Sequence, residues 1–405
     1  MEAVLKKAAE QPLKHKSGKR LDQILYFLIF VVLAGGALFL FNAVSGRQAV
    51  LYMLGAVAGF ILYHARFGFT SAWRQFILYR HGEGIRAQVW MLLVASLLFL
   101  PLLTAGTVFG VDMSGNVNAA GMSVLIGAFI FGIGMQMGDG CASGTLYHIG
   151  GGDANGIIAL VGFIAGSVIA TTHFDFWTNL PGLGEVSFVE SYGVLPGFFI
   201  QVALLAIVYA ITVLVEKKKN GKLYKKEVKA KGWKSIFFGP WPIVIGGLAL
   251  AVLNAVILLV QGKPWGVTSA FALWGAKAVQ AFGGNPENWS YWQSPSNLAS
   301  LQEPVYFHTT SVMDISLMVG ALLAAVLAGS FRKGLKFKLP MKMVIGSLIG
   351  GLMMGYGARI SFGCNIGAFF SGIASFSVHG WLWFVAAYAG SIIGVKLRPY
   401  CKYRD

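Results

Sequence analysis

The sequence predicts an all-α polytopic membrane protein: about ten spanning helices in two inverted five-helix repeats, with short re-entrant or broken helices near the midplane. Three observations predict it. Of 405 residues, 56% are hydrophobic and only 12% charged, and mean hydropathy is +0.67. Repeated long apolar runs with few charges are the mark of a chain that crosses a bilayer many times. The formal net charge of +16 is gathered in a few loops rather than spread evenly. It therefore reads as a topology signal, not as a nucleic-acid surface. Finally, the glycine-rich stretch 350–367, GGLMMGYGARISFGCNIG, has a near copy at 127–144, GAFIFGIGMQMGDGCASG.

The chain begins with a basic segment (Lys6, Lys7, Lys14, Lys16, Lys19, Arg20), placed in the cytoplasm by its charge. Spans are expected at 21–41 and 49–63; the second falls near or below the roughly 17–25 residues a span needs. The first apolar run is too long for a signal-peptide core and stays as a helix. The next segment, with Arg66, Arg74, Arg80 and Arg86 around GFTSAWRQFILY, is expected as a short helix at the inner surface. Further spans are expected at 87–108, 121–137 and 156–172. Loops 110–120 and 173–193 carry Asp112, Asp175, Glu185 and Glu190 and no Lys or Arg, so they belong outside. The span 194–215 leads into KKKNGKLYKKEVKAKGWK, which belongs inside, and 241–260 follows. The loop 261–311 should be outside, with Trp289, Tyr291 and Trp292 at the headgroup level. Spans at 312–330, 343–356 and 380–395 complete the set. They are separated by a loop with Arg332, Lys333, Lys336, Lys338 and Lys342, and followed by a basic tail. Both termini are thereby expected in the cytoplasm.

The duplication is read by sliding one half along the other. At an offset of 223, Gly127, Gly132, Gly134, Gly140, Cys141 and Gly144 meet Gly350, Gly355, Gly357, Gly363, Cys364 and Gly367. Upstream, Gly68-Phe69-Thr70-Ser71-Ala72-Trp73 resembles Gly266-Val267-Thr268-Ser269-Ala270-Phe271 at an offset of 198; the difference fits in the Trp-rich loop. The expected units are 1–193 and 194–405. Five spans each, an odd number, require the two to be opposed in the membrane. Inverted repeats with glycine-broken helices mark a transport pathway near the midplane.

The glycines Gly138, Gly140, Gly144, Gly150, Gly151 and Gly152, and likewise Gly363, Gly367 and Gly372, are expected to stop helices. Irregular backbone at membrane depth is tolerated only where protein buries it or a wet cavity meets it. Helix ends turned inward would offer N–H groups to an anion. The plainer reading is close helix packing through small residues, which Gly127, Gly132, Gly350 and Gly355 are expected to do. A lone buried cysteine usually acts as a small hydrophobe. Two at matched positions fit a shared path better, and a thiol is a soft, weak donor suited to a sulfur-bearing ligand. Arg359 is an anion anchor or an interfacial snorkeler, and its counterpart is Gln136. Asp139 opposes an anion site and reads as a helix cap; His148 and His379 read as packing or capping residues. Cys401, in the basic tail, reads as incidental. Three cysteines form no disulfide framework, and the sequence has no metal-ligand cluster, nucleotide fingerprint or catalytic triad.

At GYGARISFGCNIGAFFSGIASFSVHGWLWF (355–384) the chain resembles the YeeE/YedE membrane protein family; GIGMQMGDGCASGTLYH (132–148) and the two TSA[WF] segments fit its pattern too. The resemblance covers nearly the whole chain. It implies uptake of a sulfur-containing inorganic anion, thiosulfate being the reference substrate, across the bacterial inner membrane. It also implies an hourglass fold with no cofactor and a pathway past cysteines. The pathway residues would be Cys141, Cys364, Gly140, Gly144, Gly363, Gly367, Arg359 and Gln136, with Thr70, Ser71, Thr268 and Ser269 of the TSA[WF] segments. A cytoplasmic sulfur-carrier protein is a further expected partner. Family members often carry another cysteine just before TSA[WF]; here Gly68 and Gly266 stand there, so a three-thiol relay does not carry over. A selenium anion is the alternative cargo. A membrane thiol oxidoreductase or sulfurtransferase is the rival class, but such chemistry wants a second cysteine or a base beside the thiol. A passive channel is a third reading.

Overall fold

The computed structural model describes residues 2–225, 232–335 and 339–403, and side chains from residue 23 on, 333 and 334 aside. The basic residues Lys226, Lys229, Lys231, Lys336, Lys338 and Arg404 lie outside the described residues. Within them, ten helices are long and apolar enough to cross a membrane. The first half comprises α1 (Glu2–Ala43), α2 (Gly46–Ala65), α3 (Phe69–Tyr79), α4 (Glu83–Ala105), α5 (Met122–Met137), α6 (Ala142–Gly150) and α7 (Ala154–Thr171). The second comprises α8 (Val194–Asn220), α9 (Ile243–Gln261), α10 (Thr268–Ala281), α11 (Thr309–Leu327), α12 (Met341–Ile360), a π-helix (Asn365–Ser371) and α13 (Val378–Leu397). Two short two-stranded pairings join loops; one couples 119–121 to 182–185.

Apolar composition decides which helices lie inside. α1 and α8 expose Phe27, Phe30, Phe39, Leu195, Phe199, Ile207 and Leu214, so their surfaces meet lipid. α8 is pinned to α4 by the buried Glu216, which pairs with Arg86 and accepts from the Gly82 and Tyr224 amides. The interior is built by glycine. A side chain at Gly351 or Gly355 of α12 would strike the Ala159 or Phe163 carbonyl of α7, and one at Gly132 of α5 would strike the Ala387 carbonyl of α13. Gly127 lies against Gly357, and Gly350 against Gly134 and Gly138. The four glycines assigned to close packing therefore do that, since absence of Cβ lets backbones touch.

The helix contacts pair off. α7 packs on α12 as α13 packs on α5; α2 packs on α11 as α9 packs on α4; α3 packs on α13 as α10 packs on α7; α5 meets α12, and α6 meets the π-helix. Each member becomes the other when the seven helices of the first half are exchanged for α8–α12, the π-helix and α13.

Four expectations are corrected. The second span is a full 20 residues, because Ser45 caps its start by accepting from the Gln48 amide. α3 is not a surface helix: Phe69, Thr70, Ala72, Trp73 and Phe76 are buried, and Trp73 donates to Gln88 of α4 at 2.9 Å. Its apolar residues share one helical face, and that face turns inward. Trp292 is buried against α10 and Leu301 rather than facing headgroups. Finally, Gly144 and Gly150 continue α6, Gly367 lies in the π-helix, and Gly372 continues that helix toward Ala374. Glycine costs a helix only about 1 kcal/mol relative to Ala, a cost that close packing offsets at Gly150 and Gly372.

Candidate functional site

The two glycine-rich stretches each fold as a helix end followed by a new helix start. α5 ends at Met137; the Gly138 amide bonds the Gly134 carbonyl at 2.8 Å, and the Gly140 amide bonds the Met135 carbonyl at 3.1 Å. α12 ends the same way: Ser361 to Gly357 at 3.0 Å, Gly363 to Ala358 at 2.8 Å. The bond to the carbonyl five residues back is a Schellman closure, which needs a left-handed residue just before the donor. Asp139 (φ 60) and Phe362 (φ 59) supply it. Asp tolerates that region; a bulky Phe there is strained. Gly363, at φ 152, occupies backbone space that side chains rarely adopt. Next the chain extends through Cys141 (ψ −172) or Cys364 (ψ −163) and a helix restarts. Thr145 bonds the Cys141 carbonyl at 2.8 Å, and Ala368 the Cys364 carbonyl at 2.9 Å. Every one of these positions is matched at the offset of 223 read from the sequence.

Each thiol thus stands at the N-cap of a new helix, free and buried: Cys141 is 2% exposed and Cys364 0%. Neither makes an ordinary capping bond. The second and third amides of each new helix are those of Ser143 and Gly144 in one break and of Ile366 and Gly367 in the other. These are among the donors a helix start leaves without an internal partner. Beside each thiol there is room. A side chain at Gly144 would meet only the Cys141 Sγ, at 3.4 Å, and one at Gly367 would meet nothing within 4 Å. Cys141 Sγ also lies 3.5 Å from Ser143 Oγ.

The residues one turn before the breaks reach the TSA[WF] segments. Gln136 Nε2 donates to the Thr70 carbonyl at 3.2 Å, and Arg359 Nη2 donates to the Thr268 carbonyl at 2.7 Å. The structure therefore brings together Cys141, Gln136 and Thr70 in one half, and Cys364, Arg359 and Thr268 in the other. Arg359 is 8% exposed, donates to Tyr291 Oη at 2.6 Å and lies 4.8 Å from that ring's centre. A head group so enclosed is not snorkeling. Ser71 is turned away, donating to the Gly68 carbonyl, and Ser269 is half-buried on α10. Asp139 does not cap a helix: its carboxylate pairs with Arg74 and Arg398, each at 2.9 Å. His379 is buried with Nδ1 against Ser377 Oγ, and His148 faces Asp153.

Sequence reasoning missed Thr145 and Asn365. Thr145 Oγ1 and both side-chain polar atoms of Asn365, like Thr70 Oγ1 and Gln136 Oε1, are buried without a hydrogen-bond partner among the described residues. Asn365 directly follows Cys364, a signal that adjacency alone could have supplied. Asn116, from a loop expected only to cover the outside, donates to the Gly367 carbonyl at 2.7 Å and, through its amide, to Ser375 Oγ at 2.9 Å. Beside it opens a hollow of about 520 Å³ lined by Ser114, Gly115, Glu185, Glu190 and Ser375.

A sequence profile of sulphur transport proteins matches residues 64–393, from the end of α2 through most of α13 and across both breaks. The chain belongs to the sulphur transport family. Among its relatives, a probable transporter, YedE of Escherichia coli (strain K12), is 31% identical over 166 residues, 40% of this chain and 39% of that protein. The thiosulfate transporter TsuA of Spirochaeta thermophila is 26% identical over 356 residues, 82% of this chain and 92% of the relative. TsuA of Escherichia coli (strain K12) is 24% identical over 372 residues, 86% and 95%. The match thus covers well under half of YedE but nearly all of either TsuA. A multi-pass sulphur transport family member with paired breaks is what sequence and structure describe together.

Proposed function

We propose that this chain imports a small sulfur-containing inorganic anion, thiosulfate first, across the bacterial inner membrane along a path past Cys141 and Cys364. One observation carries the reading: two buried free thiols stand at matched helix starts, each with open room at the glycine beside it. A thiol is a weak donor that suits a polarizable sulfur, and the adjacent amides suit oxyanion oxygens. Gly140 and Gly363 make the turns; Gly144 and Gly367 leave the room. Arg359 supplies the fixed charge, and Gln136, Thr70, Thr268 and Ser269 complete the walls. The relatives named thiosulfate transporters support the choice of anion. In this reading 1–193 and 194–405 are inverted repeats with both termini cytoplasmic; the paired contacts and matched breaks support that arrangement. A cytoplasmic sulfur-carrier protein is a further partner.

The test is uptake by proteoliposomes holding the purified chain, with thiosulfate, sulfate, sulfite and selenite in parallel. Thiosulfate should enter fastest. The double variant Cys141→Ala, Cys364→Ala should lose uptake while Cys401→Ala keeps it. Normal transport by the double variant, at equal amounts of folded protein, would remove the thiols from the path.

A further inference from the structure

Asp314 is the acidic side chain that the pathway leaves unexplained. It lies in the first half of α11, in the apolar run SVMDISLMVGALLAAVL, and is 0% exposed. Neither carboxyl oxygen has a hydrogen-bond partner among the described residues. Its direction follows from helix geometry. Residues at i, i+4 and i+7 share a face, so Asp314 shares one with Met318 and Ala321, against which Gly150 of α6 is packed. α6 is the helix that starts at Cys141. Asp314 therefore lies on the face of α11 that packs on α6, and α6 in turn meets the π-helix that begins after Cys364.

Of the titratable groups on the packed elements, the buried Tyr147 of α6 lies beside His148 with ring centres 4.6 Å apart, Tyr26 of α1 reaches the Val326 carbonyl, Tyr63 of α2 meets Ser330 Oγ, and others are engaged elsewhere. On α2, Tyr52 donates to the Val32 carbonyl and His64 stacks with Trp241. On α6, His148 faces Asp153. On α10, Lys277 donates to the Leu301 carbonyl; at the N-terminal end of α11, His308 meets Ser311, while Arg359 holds Thr268 and Tyr291. The thiols of Cys141 and Cys364 are neutral donors. A carboxylate with no counter-ion or donor in a buried apolar site is far costlier than a carboxylic acid.

We propose that Asp314 is the proton site of the transporter and that the anion moves together with a proton bound there. This rests on the transport reading above. An anion beside the thiols and a carboxylate on α11 repel each other, so the path fills when Asp314 is neutral. By linkage, anion binding favours protonation as much as protonation favours anion binding. The step is an acid–base one: an O–H bond forms with a proton from water on one side and breaks to water on the other. No redox change and no further reactant enter.

The experiment uses proteoliposomes with an internal pH dye, labelled thiosulfate and a clamped membrane potential. The parent should take in close to one proton per thiosulfate, and external acid should speed uptake. Asp314→Asn, which keeps the neutral shape but cannot ionise, should bring the ratio of protons to labelled anion near zero, whatever its absolute rate. Asp314→Glu should keep the ratio. Thiosulfate entry into parent vesicles without protons, or an unchanged ratio in Asp314→Asn, overturns the proton site alone. No entry of labelled thiosulfate into parent vesicles overturns the transport reading on which it rests. The parent's own ratio decides the matter even where the Asn variant fails to fold.

Discussion

The first break carries Gln136 where the second carries Arg359, and both reach a threonine carbonyl at the start of the TSA[WF] helix. The closing turns around them share their hydrogen bonds, although an α-helix restarts after Cys141 and a π-helix after Cys364. Their surroundings differ. In the first break the left-handed residue is Asp139, held by Arg74 and Arg398. In the second it is Phe362, and the guanidinium nearby has only neutral partners among the described residues, Tyr291 Oη and the Thr268 carbonyl. One backbone device therefore serves two electrostatic settings: a mouth closed on itself by ion pairs, and a mouth that presents a cation whose Nε makes no bond.

If both breaks lie on one path, Cys141→Ala and Cys364→Ala should cost alike. Each should lower uptake about tenfold or more, the scale of about 1–3 kcal/mol for a buried group left unpartnered. A loss at one cysteine only would make the breaks functionally unequal. Next in size comes Arg359→Gln, which gives the second break the first one's residue. Uptake per folded protein should fall roughly tenfold, about 1.4 kcal/mol, with Arg359→Lys milder though it loses the planar fork. Unchanged affinity and rate in Arg359→Gln would take the cation out of the ion's way.

Asp139→Asn should act in the other direction, mainly on the fold. The carboxylate is 30% exposed, so screening limits the loss to at most about 1 kcal/mol, visible as a lower melting temperature in detergent. Severe loss of uptake with an intact fold would instead make the ion pairs a moving part. The smallest effect is a pH effect. Burial, and then the Arg359 guanidinium, hold the His308 imidazole down at about 4. Its contribution is intact above pH 6.5 and is lost as pH falls toward 4, because the unfolded chain takes up the proton first. The melting temperature should drop between pH 7 and 5, and drop less in Arg359→Gln. Equal drops would mean that Arg359 does not bear on His308.

Spans and break positions were legible because they rest on local quantities: apolar run length, loop charge, and glycine spacing that repeats at a fixed offset. The seam glycines were legible for the same reason, since 127, 132, 350 and 355 recur in register. What distant chain segments decide was not. Arg74 and Arg398 close on Asp139 from far along the chain, which turned an expected cap into an ion pair. Tyr291, assigned to headgroups by its aromatic company, turns onto Arg359. Gly144 and Gly367 read as helix breakers, yet propensity is a weak prior, and glycine costs a helix only about 1 kcal/mol relative to Ala. Asp314 drew no notice, since one acid in an apolar run says nothing of whether a partner waits across the bundle.

The glycine seams carry a mechanical consequence. Along α7 and α12, and again along α5 and α13, main chain rests on main chain. Each couple behaves as a riveted beam joining the two halves of the molecule. Rocking one half against the other would shear both beams along their length, driving Cα atoms through carbonyls at every rivet. A change confined to the three or four residues ahead of each thiol would leave both beams intact.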